Sequence, residues 1–251
     1  MPDTLRLLQV CCDLAGESGV RLASETTGRD YHFSESLSKE VKAKADKLLE
    51  ELILATLVKE GLPILSEEAG YLDGNGSDDF WFLVDPLDGT FNYVRELGPC
   101  AISLALWKGM TPVFGVIYHL TEKRLYWGGP DIGAFCDDEP IIPSTVMQKR
   151  LAALCTGFPA RYDLDNNEEI LAFGALIRPY AKIRMVGSAA AALLLVSRGS
   201  ADVYIEKNIM LWDIAAGLAI LAGAGGKFQI LETKTRWSVN VTACNGHIAF
   251  E

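Results

Sequence analysis

The sequence predicts a layered α+β fold, in which helices and sheets stack on one another. The N-terminal quarter has the apolar spacing of two helices, the middle has several short β-like runs, and the last third alternates helices with strands. No internal repeat or low-complexity linker divides the chain. Its 251 residues suit one large domain or two closely packed halves around a sizeable core.

Apolar residues at helical spacing predict five helices. They are expected at 4–22, 36–60, 166–178, 188–198 and about 211–223. Ser36 or Ser38 is the candidate N-cap of the second helix, and Gly61 is its predicted stop.

Short apolar runs rich in β-branched and aromatic residues predict the strands. They are expected at 63–66, 81–84, 101–107, 112–118, 124–127, 181–186 and 201–205. The spacing within 98–128 favours an antiparallel meander. Residues 29–33 and 70–79 are predicted to be loops, the second because it is rich in Gly, Asn, Ser and Asp.

Composition narrows the functional classes. Hydrophobic residues make up 49% and charged residues 22% of the chain, and the net charge is −10. This acidity argues against nucleic acid or an anionic membrane as the main partner, but a small anionic substrate stays open because bound cations reverse the field locally. Six scattered cysteines favour reduced thiols, and no signal peptide or bilayer-length apolar run is visible, so we expect a cytoplasmic protein.

Carboxylates recur where the predicted elements begin or end. They are Asp46, Glu67, Glu68, Asp85, Asp88 and Asp213. Hard cations such as Mg²⁺ take oxygen ligands, and carboxylates converging from separate elements supply them. The chain has three widely spaced histidines, so a zinc-type site is less favoured.

The hexapeptide Asp85–Thr90 (DPLDGT) has two interpretations. Pro86 turns the chain after a strand, so both aspartates and the Leu87 carbonyl could face one metal, while Gly89 and Thr90 offer backbone N–H groups to an anion. The alternative is an ordinary Pro-Asp-Gly turn.

The other carboxylates also have plain alternatives. Glu67 and Glu68 could be solvated at a strand end, and Asp213 could simply favour a helix N-terminus. Asp46 and Glu50 could form surface salt links on a Lys-rich helix. The residues in this order, taken together, favour a metal site over these readings.

The chain resembles the inositol monophosphatase family from about residue 40 to 245. The matching stretches are Asp46-x-x-x-Glu50, Ser66–Glu68, Trp81–Asn92, Gly133–Phe135, Gly187–Ala190, Glu206–Asp213, Ala216–Gly217 and Gly223–Gly226. The resemblance implies an αβαβα sandwich spanning 1–251, with packed halves near 1–145 and 146–251, commonly assembled as a homodimer.

The resemblance also implies roles for particular residues. Up to three Mg²⁺ ions would be held by Glu67, Asp85, the Leu87 carbonyl, Asp88 and Asp213. The catalytic residues would be Asp46, Glu67 and Thr90. The substrate would be bound by Asp88, Gly89, Thr90, Ser188, Ala189, Glu206 and Asp213.

The implied reaction is direct in-line attack of a metal-activated water on a phosphate monoester, without a phosphoenzyme. Lithium sensitivity is a family expectation. The chain departs from the family at Ala43, where a threonine hydroxyl near Asp46 is usual, and it ends soon after Asn245, so we expect a missing or shortened closing helix.

The substrate is less constrained than the reaction. Glu206, seven residues before Asp213, matches the inositol-type branch, although it could instead end a strand at the surface. An inositol phosphate or similar polyol phosphate is therefore expected. The alternatives are 3′-phosphoadenosine phosphate, fructose 1,6-bisphosphate, histidinol phosphate, or a non-catalytic regulator with the same fold.

Overall fold

The computed structural model describes residues 2–24, 31–33, 41–75, 79–158 and 165–250. Within them, no helix combines the length and apolar character needed to cross a bilayer. All six cysteine thiols are free, as the sequence indicated, and five of them are buried.

Six α-helices are present in the described residues. They are α1 (Thr4–Ser24), α2 (Lys44–Leu57), α3 (Thr90–Arg95), α4 (Asn167–Ile177), α5 (Ala189–Ser197) and α6 (Leu211–Gly223). Short 3₁₀ turns follow α2 at Val58–Glu60 and precede the second sheet at Lys149–Leu151.

Fifteen strands are present in the same residues. They are β1 (Tyr31–Phe33), β2 (Val41–Ala43), β3 (Ile64–Ser66), β4 (Gly70–Leu72), β5 (Phe80–Asp88), β6 (Ala101–Lys108), β7 (Thr111–His119), β8 (Arg124–Gly129), β9 (Gly133–Cys136), β10 (Glu139–Pro140), β11 (Ala153–Thr156), β12 (Lys182–Met185), β13 (Val203–Met210), β14 (Lys227–Glu232) and β15 (Ser238–Cys244).

Two sheets organise the chain. The larger has the order β10-β9-β8-β7-β6-β5-β3-β4 and is antiparallel except for the β3–β5 pair. The smaller has the order β12-β11-β13-β15-β14, with β11 parallel to both of its neighbours. The predicted meander is confirmed as β6, β7 and β8.

The helices form layers around these sheets. Helices α1 and α2 cover one face of the larger sheet. Helices α5 and α6 lie between the two sheets and form the largest apolar core, while α4 packs on the outer face of the smaller sheet. The order helix, sheet, helix, sheet, helix confirms the predicted layered α+β fold.

Three local predictions were wrong. The predicted helix 36–60 includes Val41–Ala43, but these residues form β2, which pairs with β1 in the predicted loop 29–33. The N-cap candidates Ser36 and Ser38 lie outside the described residues. Gly61 does end the segment, in a left-handed conformation after the 3₁₀ turn.

The other two errors concern a missed strand and the end of another strand. Gly70–Leu72 was predicted as loop but forms β4, because β3 offers it an antiparallel partner. The strand predicted at 81–84 continues to Asp88, because β6 keeps pairing with it across an irregularity. Both errors come from pairing partners that a local pattern does not reveal.

Candidate active site

The end of β5 carries two buried aspartates, Asp85 and Asp88, with 1% and 8% of their surface exposed. Side chains alternate along a regular strand, so residues three apart would face opposite sides. Here β5 has two residues between the Asp85–Ser103 and Asp88–Ala101 pairs where β6 has one, and the one extra residue makes a bulge. The bulge bends this strand end and re-aims the aspartates.

Four carboxylates share this region, and we call them the acidic cluster. They are Glu67, Asp85, Asp88 and Asp213. Burial and the three neighbouring carboxylates raise the pKa of Asp85 well above its ordinary value. Burial, followed by the nearby charges of the cluster and Glu206, raises the pKa of Asp213 well above its ordinary value. Like charges held together in a buried place favour either protons or a cation.

Glu67 lies in the turn that follows β3. Its backbone N–H donates to the Val84 carbonyl at 3.1 Å, which continues the pairing of β3 with β5. The same turn is held from α2 by the buried carboxylate of Glu50, which accepts hydrogen bonds from the Ser66 hydroxyl and from the N–H groups of Glu68 (3.2 Å) and Ala69 (2.9 Å). Glu50 therefore positions the turn that presents Glu67.

Asp46 is the third residue of α2 and links the helix to the site. Its Oδ2 accepts the Ala43 N–H at 2.7 Å, a hydrogen bond typical of a helix N-terminus. Its Oδ1 lies 2.8 Å from the Thr90 hydroxyl, which also lies 3.0 Å from the Leu87 carbonyl oxygen. Burial raises the pKa of Asp46 to about 6, although these donors lower it.

The departure at Ala43 leaves Asp46 anchored. The backbone N–H of residue 43 is a donor whatever its side chain, and it supplies the contact that the structure shows. Asp46 is therefore held by the residue 43 N–H and by the Thr90 hydroxyl without a side-chain hydroxyl at residue 43.

Asp88 lies at the N-terminus of α5. Its carboxylate accepts hydrogen bonds from the Ser188 hydroxyl and from the N–H groups of Ala189 (3.3 Å) and Ala190 (2.7 Å). Ser188 is also the N-cap of α5 and accepts the Ala191 N–H at 3.1 Å. Burial raises the pKa of Asp88 to about 6, against the lowering effect of its donors.

Gly89 makes the close approach between β5 and the start of α5. Its φ of 84° is left-handed, and a Cβ there would meet the carbonyl oxygens of Gly187 and Pro99 at 3.1 Å. Glycine is therefore required here by both conformation and space. The following residue, Thr90, opens α3.

A cavity of about 190 Å³ adjoins the acidic cluster. Its lining includes Asp88, Ser188, Ala189, Tyr204 and Glu206. Burial raises the pKa of Glu206 to about 7. The hydrogen bond from the Tyr204 hydroxyl acts in the opposite direction and lowers this pKa. A larger cavity of about 580 Å³ lies by the C-terminal end of α1 and has none of the four carboxylates in its lining, so it is not the candidate site.

Among the residues that the structure describes, no three His, Cys, Asp or Glu side chains are grouped closely enough to hold an ion. The pKa values of Asp85 and Asp213 are nevertheless raised in part by the charges of other members of the cluster. The region is thus an acidic environment rich in oxygen donors.

Several plain alternatives are wrong. Asp46 and Glu50 are buried, with 3% and 8% exposure, and are not surface salt links. Glu206 is buried within β13 and does not end a strand at the surface. The hexapeptide is a bulged strand end followed by a left-handed glycine and a short helix, rather than a simple turn.

Three contributors were missed as site residues. The sequence placed Glu50 in a motif and in a possible surface salt link, and it assigned no role to Tyr204 or Gly157. Glu50 contacts groups that lie 16 to 19 residues further along the chain. The contact of Tyr204 with Glu206 depends on the geometry of their strand. The one available sequence signal was the i, i+2 spacing of Tyr204 and Glu206 in a strand, which puts both on one face.

Comparison with known proteins identifies the class and the family of this chain. The class is that of phosphatases with a layered α+β fold. The chain belongs to the inositol monophosphatase family, whose model matches residues 6–249. Proteins of this family act on small phosphorylated compounds and are generally metal-dependent.

Individual relatives carry different names. The chain is 32% identical to a fructose-1,6-bisphosphatase/inositol-1-monophosphatase of Aquifex aeolicus, covering 87% of this chain and 83% of the relative. It is 33% identical to the Nus factor SuhB of Escherichia coli, covering 88% and 83%. The structure of the extragenic suppressor protein suhB of Bartonella henselae matches with a TM-score of 0.84 at 27% identity, covering 96% and 95%.

Proposed function

We propose that this protein hydrolyses a small phosphate monoester with water in a Mg²⁺-dependent reaction. The observation that carries the proposal is the acidic cluster, in which burial and like charges raise the pKa of Asp85 and Asp213. Such an arrangement is costly unless protons or a cation compensate it. Its position beside a small cavity points to a ligand, since a purely structural cluster would have no need of one.

The donor chemistry of the cluster fits magnesium. Carboxylate and carbonyl oxygens are the ligands that this hard cation prefers. The proposed ligands are Glu67, Asp85, the Leu87 carbonyl, Asp88 and Asp213, with up to three ions per site. Bound Mg²⁺ would make a water more acidic and neutralise charge on the phosphate oxygens.

The protein's own groups would orient the reactants. Asp46 and Thr90 form a hydrogen-bonded pair that can hold a water, and Glu67 would accept its proton. Gly89 and Thr90, at the start of α3, would hold the phosphate through backbone N–H groups and the threonine hydroxyl. The N-terminus of α5 keeps Asp88 in place through Ser188 and the N–H groups after it.

The favoured substrate is an inositol monophosphate or a similar small polyol phosphate. The cavity of about 190 Å³ presents Glu206 as a hydrogen-bond acceptor for hydroxyl groups. It is smaller than the roughly 300–1,000 Å³ typical of sites for drug-sized ligands, which suits one small ring. The described residues of its lining include two carboxylates and no lysine or arginine, an arrangement that disfavours a second phosphate.

Further properties belong to the same proposal. We expect a cytoplasmic homodimer that is inhibited by lithium and does not require nucleic acid or a membrane as partner. The SuhB names among the relatives make the non-catalytic regulator the class against which the enzyme must be tested.

The test is a phosphate-release screen with and without a chelator. The panel contains inositol monophosphates, 3′-phosphoadenosine 5′-phosphate, fructose 1,6-bisphosphate and histidinol phosphate, each with Mg²⁺. Chelator-sensitive release from an inositol phosphate supports the proposal. Release from a bisphosphate alone would overturn the substrate, and no release from any compound would overturn the enzymatic function.

A further inference from the structure

Glu206 and Tyr204 form a buried pair on β13. They are two residues apart, so their side chains leave the strand on the same face. The Tyr204 hydroxyl donates to Glu206 Oε2 at 2.8 Å. Tyr204 is fully buried and Glu206 is 8% exposed, so this hydrogen bond is shielded from solvent.

Tyr204 is a dependable donor in this place. Burial, followed by the charge of Glu206, raises the pKa of Tyr204 well above its ordinary value. The hydroxyl therefore keeps its proton, and it occupies one oxygen of the carboxylate from within the core. The rest of the carboxylate remains turned to the cavity that both residues line.

Gly157, which directly follows the neighbouring strand β11, lies against the same carboxylate. Strands β11 and β13 are parallel with Cys155 opposite Tyr204, so the chain two residues further on reaches Glu206. A Cβ at residue 157 would lie 2.8 Å from Glu206 Oε1 and 2.9 Å from Oε2. Only a residue without a side chain leaves the carboxylate where it is.

We propose that Tyr204 and Gly157 are positioning residues that hold Glu206 as an acceptor for substrate hydroxyl groups and thereby select polyol phosphates. The inference rests on the proposed function and names the residues behind its substrate preference. A glutamate carboxylate on a flexible stem loses conformational freedom on binding a ligand. Fixing it beforehand lowers that cost, but only for a substrate that has hydroxyls to offer.

The test compares two substrates with the same ring. These are myo-inositol 1-phosphate and cyclohexyl phosphate, which lacks the hydroxyl groups. In Tyr204→Phe, the KM for the inositol ester should rise about fivefold to tenfold, because the loosened acceptor weakens binding by about 1–1.4 kcal/mol. Its kcat should change by less than about twofold, as should kcat/KM for cyclohexyl phosphate, because neither depends on the loosened acceptor.

Tyr126→Phe is a matched control. Tyr126 is also buried; its hydroxyl donates to a glutamate, Glu122, at 2.7 Å and accepts a hydrogen bond from Arg198 at 2.6 Å. None of the three residues lines the 190 Å³ cavity. Removing this hydroxyl should lower the stability and leave the ratio of the two substrates unchanged.

Two further variants test the positioning role independently. Gly157→Ala should reproduce the selective rise in KM, because its methyl group displaces Glu206; residue 157 does not have a left-handed φ, so the backbone tolerates alanine. Tyr204→Phe combined with Glu206→Gln should be no worse than Glu206→Gln alone, since Tyr204 acts through Glu206.

The outcomes separate this inference from the proposed function. If the parent protein hydrolyses inositol 1-phosphate but Tyr204→Phe affects both esters equally or neither, the positioning role is wrong and the function stands. If the parent protein hydrolyses neither ester, the proposed function itself fails.

Discussion

Glu50 shows how a single buried side chain can serve the site without facing it. Its carboxylate gathers three donors from the turn that carries Glu67. The neighbouring Glu51, one residue along α2, is exposed. The two residues share a helix and a chemistry but differ in burial, which makes them a natural pair for mutation.

Replacing Glu50 with leucine should destabilise the protein by about 2–4 kcal/mol, because the buried Ser66 hydroxyl and the partly buried hydrogen bonds of the Glu68 and Ala69 N–H groups lose their acceptor, at about 1–3 kcal/mol for a buried donor and less for the others. Phosphate release should fall at least tenfold, since the turn that presents Glu67 loses its anchor. Urea unfolding and initial rates measure the two effects. Glu51→Leu should change stability by about 0.5 kcal/mol or less; equal effects from the two variants would contradict the role of Glu50.

At the scale of elements, the N-terminus of α5 combines a structural and a functional task. Ser188 caps the helix and donates to Asp88, whereas Asn166 caps α4 by accepting the Glu168 N–H at 3.0 Å, on the outer layer. Loss of either cap should cost about 1 kcal/mol. Only the first should alter the acidic cluster.

We therefore expect both Ser188→Ala and Asn166→Ala to lower the free energy of unfolding, with the larger loss in Ser188→Ala because buried Asp88 also loses a donor. Ser188→Ala should also weaken the Mg²⁺ dependence, with a higher metal concentration needed for half-maximal rate. Asn166→Ala should keep the parent metal response. A metal response that stays unchanged in Ser188→Ala would show that the hydroxyl has no part in holding Asp88 for the metal.

Elements were predictable where the local pattern and the tertiary structure agree. Leu211–Gly223 forms the expected last helix because its apolar residues fill the space between the sheets. Val41–Ala43 was misassigned because its helical composition is overridden by pairing with β1. The site follows the same rule: Asp85, Asp88 and Asp213 stand in recognisable motifs, whereas the role of Tyr204 exists only through a contact within the folded sheet.

For the whole molecule, the four carboxylates of the acidic cluster are part of a formal net charge of −10. Burial raises the pKa of Asp88 to about 6, so its folded form binds a proton more tightly than its unfolded form does. The resulting stability is fully present below the ordinary pKa near 4 and is lost as the pH rises through about 6. At neutral pH, a bound cation would offset the negative charge that a bound proton neutralises at low pH.

Thermal unfolding with and without Mg²⁺ should reveal this linkage. In chelator, the melting temperature should be higher at pH 5 than at pH 7.5. Saturating Mg²⁺ should raise it by several degrees at pH 7.5, following about 2–3 kcal/mol of binding linkage, and by less at pH 5. Asp88→Asn should reduce both differences; a Mg²⁺ shift of the same size in that variant would argue that the ion binds elsewhere.

The most direct test of the central claim is the rate of phosphate release from myo-inositol 1-phosphate, measured against Mg²⁺ concentration for three proteins. The parent protein and the control Asp137→Asn, whose carboxylate pairs with Arg124 at the surface, should show the same saturable, chelator-sensitive rate. Asp88→Asn should lose at least about a hundredfold in rate, which corresponds to about 2.7 kcal/mol of transition-state stabilisation. Full Mg²⁺-dependent turnover in Asp88→Asn, or none in the parent protein, would contradict the account.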